Sequence, residues 1–296
     1  MFRGTGTAII TPMKRIDKSI EVDYEALGRF CEFQIENNTD AIIVLGTTGE
    51  APVFCEDERD RIIRTVVETV NGRVPVIAGT GTNNTEKCID WSLKAEKLGA
   101  DGLLIVTPYY NKSSQEGLYR HFRTIDEHTG LPSILYNVPS RTGMNLLPET
   151  AIRIYKNSRH VCGIKEASGN ISQIAELSSL KPEGLMLYSG NDDQVIPLIS
   201  LGGDGVVSVF SNVFPKEMHE LTRYALNGDF EAARGIQNRY LKFIGLLFKD
   251  VNPIPVKYAV SQLGWCENLL RLPLIEASED LQRLIGKELE RLGDVA

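Results

Sequence analysis

The sequence predicts an α/β fold: an eight-stranded parallel (β/α)8 barrel, the TIM barrel, with a C-terminal helical extension. Three observations lead there. Short apolar runs rich in β-branched residues recur eight times ahead of residue 229, helical patterns separate them, and beyond Asp229 only helical patterns remain. Strands that are apolar on both faces and alternate with helices belong to parallel sheets. Eight such units match a closed barrel of about 200–250 residues. A doubly wound open sheet is the alternative.

The strands are expected at residues 6–11, 41–46, 74–79, 102–107, 133–137, 161–166, 185–189 and 205–209. Helix signals fall between them. Asp23 opens an amphipathic run through Leu27, Phe30 and Ile35. Glu56, Asp57 and Glu58 open the next helix, where negative charge suits the helix dipole. Thr85 precedes a run that ends at Gly99, a residue suited to the position just past a helix. Ser113 to Glu116 has capping-box spacing, and Pro148 suits a first helical position. Asn227-Gly228 stops the eighth unit. Helices are then expected at 230–248, 254–263 and 278–292. The division read from the sequence is a catalytic barrel at 1–228 and a docked helical extension at 229–296, with no low-complexity linker between them.

Composition excludes several classes of function. A formal net charge of −7 and the lack of a basic stripe argue against nucleic-acid binding. No run of about 20 apolar residues suggests a membrane span, and no signal peptide is seen, so a cytoplasmic protein is expected. The five cysteines are scattered without a C-x-x-C pair, as reduced thiols are. The four histidines have no metal-site spacing, so no metal is expected.

In such barrels the chemistry sits at the C-terminal ends of the strands. The sixth strand ends Ile164-Lys165-Glu166-Ala167. A buried lysine without a carboxylate partner loses its proton more readily, and a neutral amine forms Schiff bases with carbonyl compounds. The ordinary alternative is a lysine that reaches solvent or pairs with Glu166. After the second strand, Gly46-Thr47-Thr48-Gly49-Glu50 reads either as a small anion cradle of backbone N–H groups and hydroxyls or as a plain tight turn. Gly79-Thr80-Gly81 lacks the third glycine of a dinucleotide site, so no NAD is assigned. Tyr109 and Tyr110 follow the fourth strand and Tyr136 lies at the end of the fifth. Tyrosines are ordinarily core or interface residues, but a phenol beside a nucleophilic lysine can relay protons. Arg141 lies in a Pro/Ser/Gly loop, where it either clamps a carboxylate or makes a surface ion pair. Gly190 and Val207 leave space and backbone groups near the mouth.

Six motifs in order carry a family resemblance: Gly4-Thr5-Gly6-Thr7-Ala8, Gly46-Thr47-Thr48-Gly49-Glu50, Thr107-Pro108-Tyr109-Tyr110-Asn111, Tyr136-Asn137-Val138-Pro139-Ser140-Arg141-Thr142-Gly143, Gly163-Ile164-Lys165-Glu166 and Asn252-Pro253-Ile254-Pro255-Val256-Lys257. With them the chain resembles, nearly end to end, the pyruvate-dependent class I aldolases of the N-acetylneuraminate lyase and dihydrodipicolinate synthase superfamily, and the synthase branch in particular. The resemblance implies a lyase that condenses pyruvate with L-aspartate 4-semialdehyde to 4-hydroxy-tetrahydrodipicolinate, on the way to lysine and diaminopimelate. It implies that Lys165 forms the Schiff base. It makes Tyr136 the proton shuttle, linked through Thr47 to a Tyr110 supplied by a neighbouring subunit. Thr48 would hold the pyruvate carboxylate, Arg141 the carboxylate of the second substrate, and Gly190 and Val207 would line the pyruvate pocket. No cofactor is implied, because Lys165 supplies the electrophile. A homodimer or a homotetramer, a dimer of dimers, is expected.

The pattern departs from lysine-inhibited relatives. Asn83 and Tyr109 match their effector site, but Ala51, Glu56, Arg59 and Lys87 do not. A cationic Lys87 repels an effector ammonium, so weak or absent L-lysine feedback is expected. Two other readings stand beside the synthase. A sister aldolase acting on sialic acid or a 2-keto-3-deoxy sugar acid would need polyol-binding groups in place of Arg141. A barrel that only binds a keto acid would keep the fold without turnover.

Overall fold

Most barrel strands are short apolar runs, and several of the helices that follow open on a side chain that accepts from their free amides. The computed structural model describes residues 1–293; the last three residues of the expected extension, 294–296, lie outside the described residues. Strand β1 (Gly4–Ala8) leads into a hairpin, β2 (Met13–Ile16) with β3 (Ser19–Val22). Then come α1 (Tyr24–Glu36), β4 (Ala41–Val44), α2 (Glu56–Val70), β5 (Val76–Gly79), α3 (Thr85–Lys97), β6 (Gly102–Val106), α4 (Gln115–His128) and β7 (Ser133–Asn137). A one-turn helix α5 (Pro139–Thr142) precedes α6 (Pro148–Asn157), β8 (Val161–Glu166), α7 (Ile171–Leu180), β9 (Met186–Ser189), α8 (Val195–Ser200), β10 (Gly205–Ser208) and α9 (Pro215–Leu226). The extension contributes α10 (Phe230–Leu247), α11 (Ile254–Gln262) and α12 (Glu279–Leu292).

The eight strands close a barrel in the order β1-β10-β9-β8-β7-β6-β5-β4, with β4 pairing back to β1 and all pairs parallel. This is the expected TIM barrel with its helical extension. Apolar side chains fill its interior, among them Ile43, Ile77, Leu104, Ile134 and Val207, as in barrels whose centre is a packed core rather than a pore. At the floor Phe2 stacks on Tyr188 with ring centroids 4.5 Å apart. The Tyr188 hydroxyl donates to the Phe2 carbonyl at 2.5 Å. A second apolar layer lies between strands and helices. The extension docks through an aromatic cluster in which Tyr240 and Phe243 meet Phe210 and Phe214.

Two local expectations need correction. The first strand starts and ends earlier than residues 6–11, because the chain leaves the sheet after Ile9: the Ile10 amide donates to Asn212 Oδ1 and the Thr11 hydroxyl to the Gly49 carbonyl. The cap of α4 is Ser114, which accepts from the Gly117 amide at 3.2 Å, rather than a reciprocal Ser113–Glu116 pair. The β2–β3 hairpin, whose two-residue turn places Asp17 at a positive φ of 52°, was not expected.

Candidate active site

Residues 136, 165 and 188 lie side by side on β7, β8 and β9. All three side chains enter the barrel, one at the mouth, one beneath it and one near the floor. Lys165 is only 5% exposed. Its Nζ lies 4.1 Å from the centre of the Tyr136 ring, and among the described residues it has no ion pair. The next residue in the chain points the other way, as alternate strand residues must. Glu166 accepts from Asn137 Nδ2 at 3.0 Å, Gln173 Nε2 at 3.3 Å and the Ser168 amide at 2.6 Å. The lysine–Glu166 pair left open by the sequence is therefore not made. Near it lies Asp192, a carboxyl that burial pushes above its ordinary range although the Val209 and Phe210 amides donate to its Oδ2 and Lys165 opposes the rise. The other oxygen of Asp192 is buried without a hydrogen bond among the described residues.

Space for Lys165 depends on Gly190. A Cβ at that position would stand 2.9 Å from Lys165 Cε and 2.6 Å from the Ala167 methyl, closer than real side chains pack. Val207 is fully buried on β10 in the same interior layer.

The turn after β4 is tight. Gly49 N–H donates to the Gly46 carbonyl and Glu50 N–H to the Thr47 carbonyl, both at 3.1 Å. Those two amides are spent on the turn itself. The Thr47 and Thr48 amides have no hydrogen bond among the described residues. The cradle suggested by the sequence thus narrows to these two amides and the two hydroxyls. Leu45 and Glu50 bracket the turn with left-handed φ of 54° and 55°, a conformation that non-glycine residues hold only where the surroundings enforce it.

A cavity of about 230 Å³ opens beside these groups, lined by Thr47, Tyr136, Val138 and Arg141 at one end and by Ala51, Arg59, Trp91 and Tyr109 at the other. Lys165 does not line it directly; it lies behind the Tyr136 ring. Arg141 is exposed, and its Nη2 donates to the Asn252 carbonyl at 3.1 Å. Thr48 is buried and accepts from Asn252 Nδ2 at 3.0 Å. Tyr110 stands apart, 91% exposed, at a left-handed φ of 70°. Among the described residues no cluster of three His, Cys, Asp or Glu side chains could hold a metal ion. No helix of the described residues is long and apolar enough to cross a membrane.

Sequence reasoning missed two residues here. Asp192 is not singled out by the sequence reading, although an acidic residue just past a barrel strand was the available signal. Asn252 lies 204 residues from Thr48, and no local pattern announces that contact.

A closed parallel barrel with a buried lysine at a strand end, set against a phenol at its mouth, defines a lyase of the Schiff-base aldolase class. Comparison with known proteins narrows this. A profile described as "Dihydrodipicolinate synthetase family" matches residues 1–292, and the chain belongs to that family. It is 52% identical to the 4-hydroxy-tetrahydrodipicolinate synthase of Alkaliphilus oremlandii, over 98% of this chain and 99% of that protein. It is 50% identical to the protein of that name from Thermotoga neapolitana, over 99% of both. The crystal structure of dihydrodipicolinate synthase from Thermotoga maritima superimposes with a TM-score of 0.97 at 48% identity, covering 100% of each chain.

Proposed function

We propose that this protein condenses pyruvate with L-aspartate 4-semialdehyde to give 4-hydroxy-tetrahydrodipicolinate through a Schiff base on Lys165. The observation that carries the reading is a lysine buried without an ion pair at the end of β8, against the Tyr136 ring, in a chain half identical to synthases of that name. In the reaction the Lys165 amine attacks the ketone carbon of pyruvate and water leaves, giving a protonated imine. The imine makes the pyruvate methyl acidic, and loss of a proton gives an enamine. Its carbon bonds to the aldehyde carbon of the second substrate. The amine of that substrate then attacks the imine carbon, closing the ring and releasing Lys165.

The remaining roles follow from position. Tyr136 moves protons at the imine, with Thr47 across the cavity. The freed amides and hydroxyl of the Thr47–Thr48 turn receive the pyruvate carboxylate. Arg141, with one nitrogen tied to Asn252 and the rest of its fork open, receives the carboxylate of the aldehyde. Gly190 and Val207 shape the pyruvate pocket. Tyr110, exposed in the isolated chain, completes the relay in a neighbouring subunit of a homodimer or homotetramer acting in the cytoplasm. Borohydride added with pyruvate should fix a pyruvyl adduct on Lys165, detectable by peptide mass spectrometry. An adduct elsewhere, or none, overturns the mechanism. Turnover of sialic acid or a 2-keto-3-deoxy sugar acid in preference to the semialdehyde would move the chain to the sister aldolases.

Feedback by L-lysine is expected to be weak or absent. At the far end of the cavity the Arg59 guanidinium already donates to the Ala51 carbonyl at 3.0 Å and the Gly79 carbonyl at 3.2 Å, and stacks 3.8 Å from the centre of the Trp91 ring. A second cation entering there meets a resident one. Inhibition by sub-millimolar lysine would show this wrong.

A further inference from the structure

The extension reaches back into the site at two points that are in register. Asn252 meets Thr48 and, five residues on, Lys257 meets Glu50, so one segment of the extension is buttoned to the turn after β4. The Lys257–Glu50 ion pair is fully buried at 2.5 Å. The Lys257 amide donates to the Pro253 carbonyl at 2.9 Å, which ties both buttons to one helical turn.

We propose that Asn252 is a positioning residue for pyruvate recognition, acting through the Thr48 hydroxyl. A hydroxyl has one proton to give. With Asn252 Nδ2 donating into the Thr48 oxygen and no group among the described residues taking the hydroxyl proton, that proton is left for a bound acceptor such as a carboxylate. The same residue holds the other anion-binding group, since its carbonyl accepts from Arg141 Nη2. Its side-chain oxygen is buried and makes no hydrogen bond. Nothing else in the described structure therefore uses the amide except Thr48. The extension thus sets the polarity of the carboxylate site as well as packing against the barrel.

This rests on the reading of Thr48 given above, and the test separates the two. Steady-state kinetics and borohydride trapping are measured for Thr48→Val, Asn252→Ala, Asn252→Asp and the Thr48→Val/Asn252→Ala double variant, with thermal melts of each. A contact made equally in ground state and transition state shows in KM rather than kcat. Asn252→Ala should raise the pyruvate KM about tenfold, the scale of a lost hydrogen bond to a charged group, while kcat changes less. The double variant should be no worse than Thr48→Val alone, because residues acting as a unit are not additive. Asn252→Asp keeps the shape but draws the Thr48 proton to itself, so it should be worse than Asn252→Ala; a purely structural role gives the opposite order. Additive losses, a milder aspartate, or an unchanged KM in Asn252→Ala overturns the proposal. If Thr48→Val itself leaves the pyruvate KM unchanged, the assignment of Thr48 fails first. Should Asn252→Ala not fold, the near-isosteric aspartate carries the test: a KM raised at least about tenfold supports the proposal, and a wild-type KM overturns it.

Discussion

Two lysines are buried among the described residues, and their surroundings differ in one respect that decides what each can do. Lys257, in the joint between the extension and the turn after β4, is 0% exposed and lies 2.5 Å from an equally buried carboxylate, Glu50. Burial alone lowers its proton affinity, while Glu50 opposes that fall. Lys165, under the barrel mouth, is nearly as buried but has an aromatic ring and a glycine for neighbours and, among the described residues, no ion pair. A paired buried lysine is structure; an unpaired one beside a cavity is chemistry. Residue type and burial do not distinguish the two, and the partner does.

The comparison can be broken most directly at Lys165. Replacing it with Met should cut turnover by at least roughly 10³-fold, since covalent catalysis and positioning are lost together. The melting temperature should stay level or rise, because a buried polar group without an ion-pair partner among the described residues is replaced by an apolar one. A Lys165→Met protein that melts well below wild type would mean the lysine is structural after all. The same change at Lys257 should act the other way. Lys257→Met strands Glu50 in the interior, at a cost of about 3–5 kcal/mol, measurable by denaturant unfolding. Pyruvate should still be trapped on Lys165 in the protein that remains folded. Adding Glu50→Gln should recover most of that loss, leaving a deficit of about 1–2 kcal/mol; no recovery would show that the two groups do not act as a pair.

His121 sharpens the contrast as another buried base, on the side of Lys165 in having no counter-charge among the described residues. Its Nδ1 bonds the Thr85 hydroxyl at 2.9 Å and its Nε2 has no partner among the described residues. Burial holds its pKa down to about 4. The unfolded chain takes up this proton below pH ~6.5 and the folded chain does not. Stability is therefore intact above that pH and declines as pH falls toward about 4, by at most about 3 kcal/mol. His121→Gln should flatten unfolding free energy over that window. An unchanged acid slope would assign the loss to other groups.

Much of this was legible in the sequence, for reasons the structure makes plain. Most of the barrel strands are apolar on both faces and bounded by turn residues, so local pattern located them, while the Gly/Thr-rich first strand was placed too late. Lys165 and Tyr136 lie at strand ends and Thr47 and Arg141 a few residues past them, and the barrel itself gathers strand ends at one face. The β2–β3 hairpin escaped because its strands are four residues each and its turn uses Asp17-Lys18 rather than an asparagine–glycine pair. The anion cradle was only half legible, since a sequence does not say which amides a turn will consume. Asn252–Thr48 and Lys257–Glu50 join residues more than 200 apart, and long-range pairs leave no periodic trace.

Closure of the sheet also has a consequence for how the chain is made. Strand β1 pairs with β10, and the Phe2 carbonyl waits for the hydroxyl of Tyr188. During synthesis at about 5–20 residues per second, the first strand emerges roughly 10–40 seconds before its last partner. Over that interval the nascent barrel is an open sheet with two unpaired edges, exposed to the pairing hazards that the finished ring abolishes.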